Sequence, residues 1–176
     1  MLKGVVARRL REEAAKQGLG AEEYLLDLLT QDMDPKDRAR EYLEASRELL
    51  SEAREELEKG NVRQAADKVW GAAALAIKAY ALWRDGRRLA SHGELWEYKS
   101  IMAEDLGSWV RVAFQQASSM HTCFYEDWCD RGDVEEALKA VEKLVRETKQ
   151  RILPVSYTHL RAHETEADLV CRLLLE

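Results

Sequence analysis

The chain has 176 residues, 46% hydrophobic and 34% charged, which suits one helical domain with a core of its own. Its formal net charge of -6 argues against a protein that coats duplex DNA, whose phosphates call for a basic surface. No apolar run is long enough to cross a bilayer, no signal-peptide pattern opens the chain, and three cysteines make no disulfide framework, so a reducing cytoplasm is the expected compartment.

The first predicted helix covers about Val5 to Lys16 and is basic at Arg8, Arg9 and Arg11; Gly18 and Gly20 break it. The second covers about Ala21 to Thr30, with Tyr24, Leu25, Leu28 and Leu29 apolar. Together they form an N-terminal helical arm, residues 1–33, that reads as an amphipathic element docking on a partner or on the rest of the chain. The arm distantly resembles the paired helices of ribbon-helix-helix antitoxins, but no ribbon strand precedes it, so no DNA contact is expected from it.

Asp34 and Pro35 read as an N-cap and a first-turn proline. They open a third helix that runs to Lys59 and ends at Gly60. Its inner stripe is Leu43, Ser46, Leu49, Leu50, Ala53 and Leu57. Asn61 with Gln64 reads as the capping-box pair of a fourth helix. That helix is apolar nearly all the way round and rich in Ala and Gly from Ala65 to Ala81. Such a helix belongs at the centre of a bundle, with neighbours close against its small faces. Lys78 inside it reads as a snorkelling side chain, and Gly86 closes the helix.

Ser91 with Glu94 is a second capping box and opens a fifth helix. Asp105 to Gly107 kinks or breaks it, and it resumes to about Trp128. Arg131, Gly132 and Asp133 read as a turn before the last helix, Val134 to Leu153. Its stripe is Val134, Leu138, Val141, Val145, Thr148 and Ile152. Trp70, Trp83, Trp96 and Trp109 recur at a spacing that turns about 220° on a helix, so they share no face. No strand pattern appears. The expected fold class is all-α, an up-and-down antiparallel bundle over residues 34–154. Residues 155–176, VSYTHLRAHETEADLVCRLLLE, continue no helical stripe. They resemble the peptide that results when a sequencing-library adapter is translated in frame, and they read as a non-native tail. His159, His163 and Cys171 therefore carry no functional weight here.

Four stretches taken together resemble the archaeal PaREP family, which is grouped with the HEPN superfamily of helical bundles. They are Lys59–Gly60, Gln64–Ala81, Leu89–Leu95 and Met120–Glu126, and the likeness extends loosely from Pro35 to Leu153. HEPN proteins include toxin ribonucleases, nucleotide-associated domains and inert interaction modules, so the resemblance implies a class more than a reaction. In ribonuclease-type members a late His, often with a Tyr, acts on the ribose hydroxyl or leaving group. That implies His121, Tyr125 and Glu126 as the catalytic candidates here, with Glu126 and Glu97 or Glu104 orienting the imidazole. The Arg that should precede His121 is absent: Gln115 to Ser119 fill that space, and Arg111 stands too far back. Arg87 and His92 also fit the HEPN spacing, but so short a motif matches by chance.

Arg84, Arg87 and Arg88, facing His92, make a candidate anion or nucleotide site. The same cluster also complements the helix macrodipole. His121, Cys123 and Cys129 lack metal-ligand spacing, with 121 and 123 pointing about 200° apart, so no metal or other cofactor is expected. The favoured reading is a HEPN-like interaction module without catalysis. It would act as a homodimer or through a partner protein, in a toxin–antitoxin or defence setting. The alternatives are a metal-independent ribonuclease and a nucleotide-binding module. RNA or nucleotide are thus candidate ligands; duplex DNA and membranes are not.

Overall fold

The computed structural model describes residues 4–16 and 20–153. The tail 155–176 expected to be non-native lies outside them. The described residues form seven helices and no strand. They are α1 (Gly4–Lys16), α2 (Ala21–Leu29), α3 (Pro35–Glu58), α4 (Val62–Asp85), α5 (His92–Leu106), α6 (Trp109–Glu126) and α7 (Arg131–Ile152). The fold is an up-and-down helical bundle. None of the helices is long and apolar enough to cross a membrane.

The core is organised by α4. It packs against α3, α5, α6 and α7. Alanines 65, 66, 72, 73, 74, 76, 79 and 81 are all buried, which lets neighbouring backbones come close. At Gly71 an added Cβ would stand 3.0 Å from Leu49 Cδ1, a measure of how tightly α3 lies on α4. Ser46, fully buried, ties the same pair together by donating to the Ala72 carbonyl at 2.7 Å. Every residue of the expected α7 stripe is buried, and so is every residue of the α3 stripe except Leu49, which is half-buried.

The helix ends show where local sequence chemistry holds and where it yields. Asp34 caps α3 by accepting from the Lys36 N–H at 2.9 Å, with Pro35 in the first turn. Gly86, at φ 62°, closes α4 in the left-handed conformation that glycine favours. Asn61 does not cap α4: its amide instead donates to Glu56 at 2.7 Å, because α3 ends beside it. Gly107 and Ser108 do break the fifth helix from the sixth. The expected turn at Arg131–Asp133 is in fact the first turn of α7, capped reciprocally by Asp130 and Asp133. Arg131 also donates to the Leu57 carbonyl at 3.1 Å, fixing that turn to the end of α3.

The N-terminal arm is docked on the bundle, and buried charge holds it there. Asp27 of α2 accepts from Arg38, from Tyr42 at 2.6 Å and from Arg88. Glu23 pairs with Lys78, and Glu22 reaches Lys68 at 3.6 Å. Lys78 is thus not a snorkelling side chain: it is 5% exposed, and its ammonium is neutralised inside the structure. Burial pushes the Asp27 carboxyl up. The hydrogen bonds from Arg88 and Tyr42 and the charges of Arg88 and Arg38 outweigh burial and hold it below the ordinary 3.8.

Replacing Asp27 by Ala strands Arg38, whose side chain is only 9% exposed. The expected loss is about 3–5 kcal/mol in urea unfolding at neutral pH. A carboxylate depressed by folding contributes fully above its unfolded-state pKa and loses that contribution as the pH falls through the folded one. The gap between wild type and Asp27→Ala is therefore expected to shrink as the pH is lowered below 3.8. A gap independent of pH would show that Asp27 acts by packing alone.

Candidate functional site

Three helices bring four aromatic rings together. Trp70 lies on α4, His92 is the first residue of α5 behind the Ser91 cap, and His121 and Tyr125 lie one turn apart near the end of α6. The His121 ring centroid is 5.0 Å from Trp70, 5.1 Å from His92 and 5.1 Å from Tyr125. His92 is also 5.2 Å from Trp70. Sequence spacing places His92 with the arginines of one candidate and His121 with another; the fold joins the two imidazoles in one cluster. Tyr125 stands at its edge, 67% exposed.

His121 is packed, not poised. Its Nδ1 is buried and, among the described residues, has no hydrogen-bond partner. Burial lowers its pKa from the ordinary 6.5, and the neighbouring His92 lowers it further, so the neutral imidazole is favoured. The expected orienting carboxylates do not reach Nδ1. Glu126 and Glu104 are exposed, and Glu97 points toward Arg87 at 3.9 Å. The end of α6 turns away at Asp127, whose φ is 53°, and Glu126 does not line the space beside His121.

That space is a cleft of about 920 Å³ running along α4. His92, His121 and Tyr125 wall one end, and Gly71, Ala74 and Ala45 lie along its length. Five carboxylates line it, those of Glu22, Glu23, Glu48, Glu52 and Asp67, against the ammonium groups of Lys68 and Lys78. Both lysines are already paired, Lys68 with Glu52 at 2.6 Å and Lys78 with Glu23. Burial raises the Asp67 carboxyl, Lys68 pulls it back, and Glu22 adds to the rise. Among the described residues, no arginine lines the cleft.

The arginines of the candidate anion site are engaged elsewhere. Arg84 bonds Asp105 at 2.9 Å and Arg88 bonds Asp27. Arg87 stands 3.7 Å from Glu94 and 3.9 Å from Glu97. Of that set only His92 reaches the cleft. Arg63, which spacing along the chain does not single out, reaches the end of α6 instead. It donates to the Phe124 carbonyl, with its guanidinium 5.1 Å from the Phe124 ring centroid. Nothing local marks it, because the start of α4 and the end of α6 meet only in the fold. The cysteine expectation is corrected here too. Cys123 and Cys129 are joined in a disulfide, because the left-handed turn at Asp127 folds the chain back until their Cα atoms are 5.6 Å apart. Among the described residues, no three His, Cys, Asp or Glu gather as a metal site.

A family model described as the archaeal PaREP1/PaREP8 family matches residues 41–145. That span holds α3 from its second turn, all of α4 to α6 and most of α7, and so the whole aromatic cluster. A crystal structure of a protein from Sulfolobus solfataricus is similar to this chain with a TM-score of 0.54 at 23% identity. The similarity covers 59% of this chain and 92% of that one, and it is a likeness of fold. No curated protein matches the chain.

The cluster geometry has a titration signature. In a histidine-resolved NMR titration, His121 is expected to change protonation below 6.5, and His92→Ala should move its midpoint upward. A midpoint unmoved by His92→Ala would mean that the two rings are not electrically coupled.

Proposed function

We propose, from the premise that this chain belongs to the archaeal PaREP1/PaREP8 family, that it is a HEPN-like interaction module without catalytic activity. It works by association, as a homodimer or with a partner protein. A toxin–antitoxin or defence pair is the setting that the HEPN resemblance suggests.

The setting of His121 carries this reading. A general acid or base in RNA cleavage needs an oriented imidazole and a cation for the scissile phosphate. Among the described residues, His121 Nδ1 has no partner and the cleft beside it holds no arginine. Its lining carries more carboxylates than ammonium groups, a field that repels a phosphodiester. Exposed apolar side chains supply association surfaces: Val5, Val6 and Leu29 on the arm are 61%, 64% and 73% exposed, and Trp128 beyond α6 is 51% exposed.

End-labelled single-stranded RNA is expected to survive incubation with the chain in EDTA, with the His121→Ala variant giving the same pattern. Cleavage that disappears in the variant would replace this reading with a metal-independent ribonuclease. Light scattering is expected to give the mass of two chains. A single-chain mass would remove the homodimer and leave the partner-protein form.

A further inference from the structure

A second concave surface lies between α3 and α7. Arg47, Leu50, Ser51 and Arg54 occupy positions i, i+3, i+4 and i+7 on α3, one face of the helix. Glu142, Val145, Arg146 and Lys149 repeat that spacing on α7. The two stripes line a groove of about 430 Å³, with buried Leu50 and Val145 among the lining side chains. Its residues include four cations and one carboxylate, in a chain whose net charge is -6. On α3 these positions are offset by two from Ala45, Glu48, Leu49 and Glu52, which line the histidine cleft. Two residues turn a helix by about 200°, so the groove and the cleft use opposite faces of α3.

The groove's cations are held by exchangeable partners. Arg54 places Nε 3.1 Å and Nη2 2.8 Å from a single Glu142 oxygen, in a pair 54% and 32% exposed. Arg47 pairs with Glu44 on its own helix at 2.6 Å, and Arg146 reaches Glu147 at 3.5 Å. Among the described residues, Lys149 has no ion-pair partner. Exposed pairs of this kind contribute little to stability, so exchange for a stronger acceptor costs little. A phosphoryl group is such an acceptor. Its oxygens match the guanidinium fork, and Lys149 and the Ser51 hydroxyl can add donors.

We propose that the α3–α7 groove is a phosphoryl-binding site, taking the phosphate of a small nucleotide or the backbone of single-stranded RNA. Arg54 is the central ligand, and Glu142 is the internal carboxylate that the phosphate displaces. This moves anion recognition away from the histidine cleft, whose lining repels it. RNA bound in the groove would be held without being cut there, because among the described residues no histidine lines the groove.

The test uses the full chain at low salt. Calorimetric titration with pyrophosphate and with adenosine monophosphate reads the small-molecule source, and anisotropy of a short labelled single-stranded RNA reads the polymer. Binding of at least one probe is expected, weakened about tenfold or more by Arg54→Gln with Lys149→Gln and unchanged by His121→Ala. For RNA, the salt dependence should flatten by about 0.7 in log–log slope for each phosphate that the variant no longer neutralises. Glu142→Gln, which releases Arg54, should tighten binding, a gain that a misfolded variant cannot give. No binding by any probe, equal binding by the wild type and the double variant, or weaker binding by Glu142→Gln would each overturn the proposal. So would binding that disappears in His121→Ala, which would place the site in the cleft.

Discussion

Fifteen of the 24 residues of α4 are buried, and eight of those are alanine. A helix enclosed on that scale has no free face along which a neighbour can slide. Short side chains leave the spacing between helices to backbone contact, so α3, α5, α6 and α7 take their positions from α4. The close approach at Gly71 and the bond from Ser46 to Ala72 fix α3 most firmly. The placement of every other feature follows. Trp70 projects from α4 to where α5 begins and α6 ends, which is why His92 and His121 meet over its ring.

Enclosure also dictates how charge is handled. Lys78 sits where a helix buried on all sides meets α2, and an unpaired ammonium there would be costly. Glu23 answers it, and Asp27 answers Arg38 and Arg88 a turn further on. The arm is therefore positioned by a short row of carboxylates on α2 more than by a broad apolar contact. Its apolar residues Leu28 and Leu29 remain at the surface. Glu22 and Glu23 of the same helix also line the histidine cleft and add to the carboxylates that α3 and α4 place there.

Charge is thus sorted by position on a chain that is acidic overall. One side of α3 faces Glu22, Glu23 and Asp67, and the other faces Arg146 and Lys149 of α7. Composition reports the sum and hides the sorting. A surface that repels phosphate and one that attracts it can coexist on opposite sides of one helix, because solvent screening keeps exposed fields local.

The all-α class, the long helices and the central role of α4 follow from the sequence alone, because alanine content and apolar periodicity are local properties that tertiary contacts do not reverse. The Asp34 cap, the glycine stop at Gly86 and the stripe of α7 are legible for the same reason. The Asn61 cap and the Arg131 turn are not. The Asn61 amide is drawn to Glu56 at the end of α3, and Arg131 is tied as the first turn of α7 to the Leu57 carbonyl of α3, contacts that only the fold brings near. The candidate site divides the same way. His121 and Tyr125 share a helical face by spacing, so their pairing is readable. The meeting of His92 with His121, the engagement of Arg88 by Asp27 and the return of Cys129 to Cys123 are decided by the tertiary structure. They depend on where separate helices end, and no periodicity along the chain records a distance between ends.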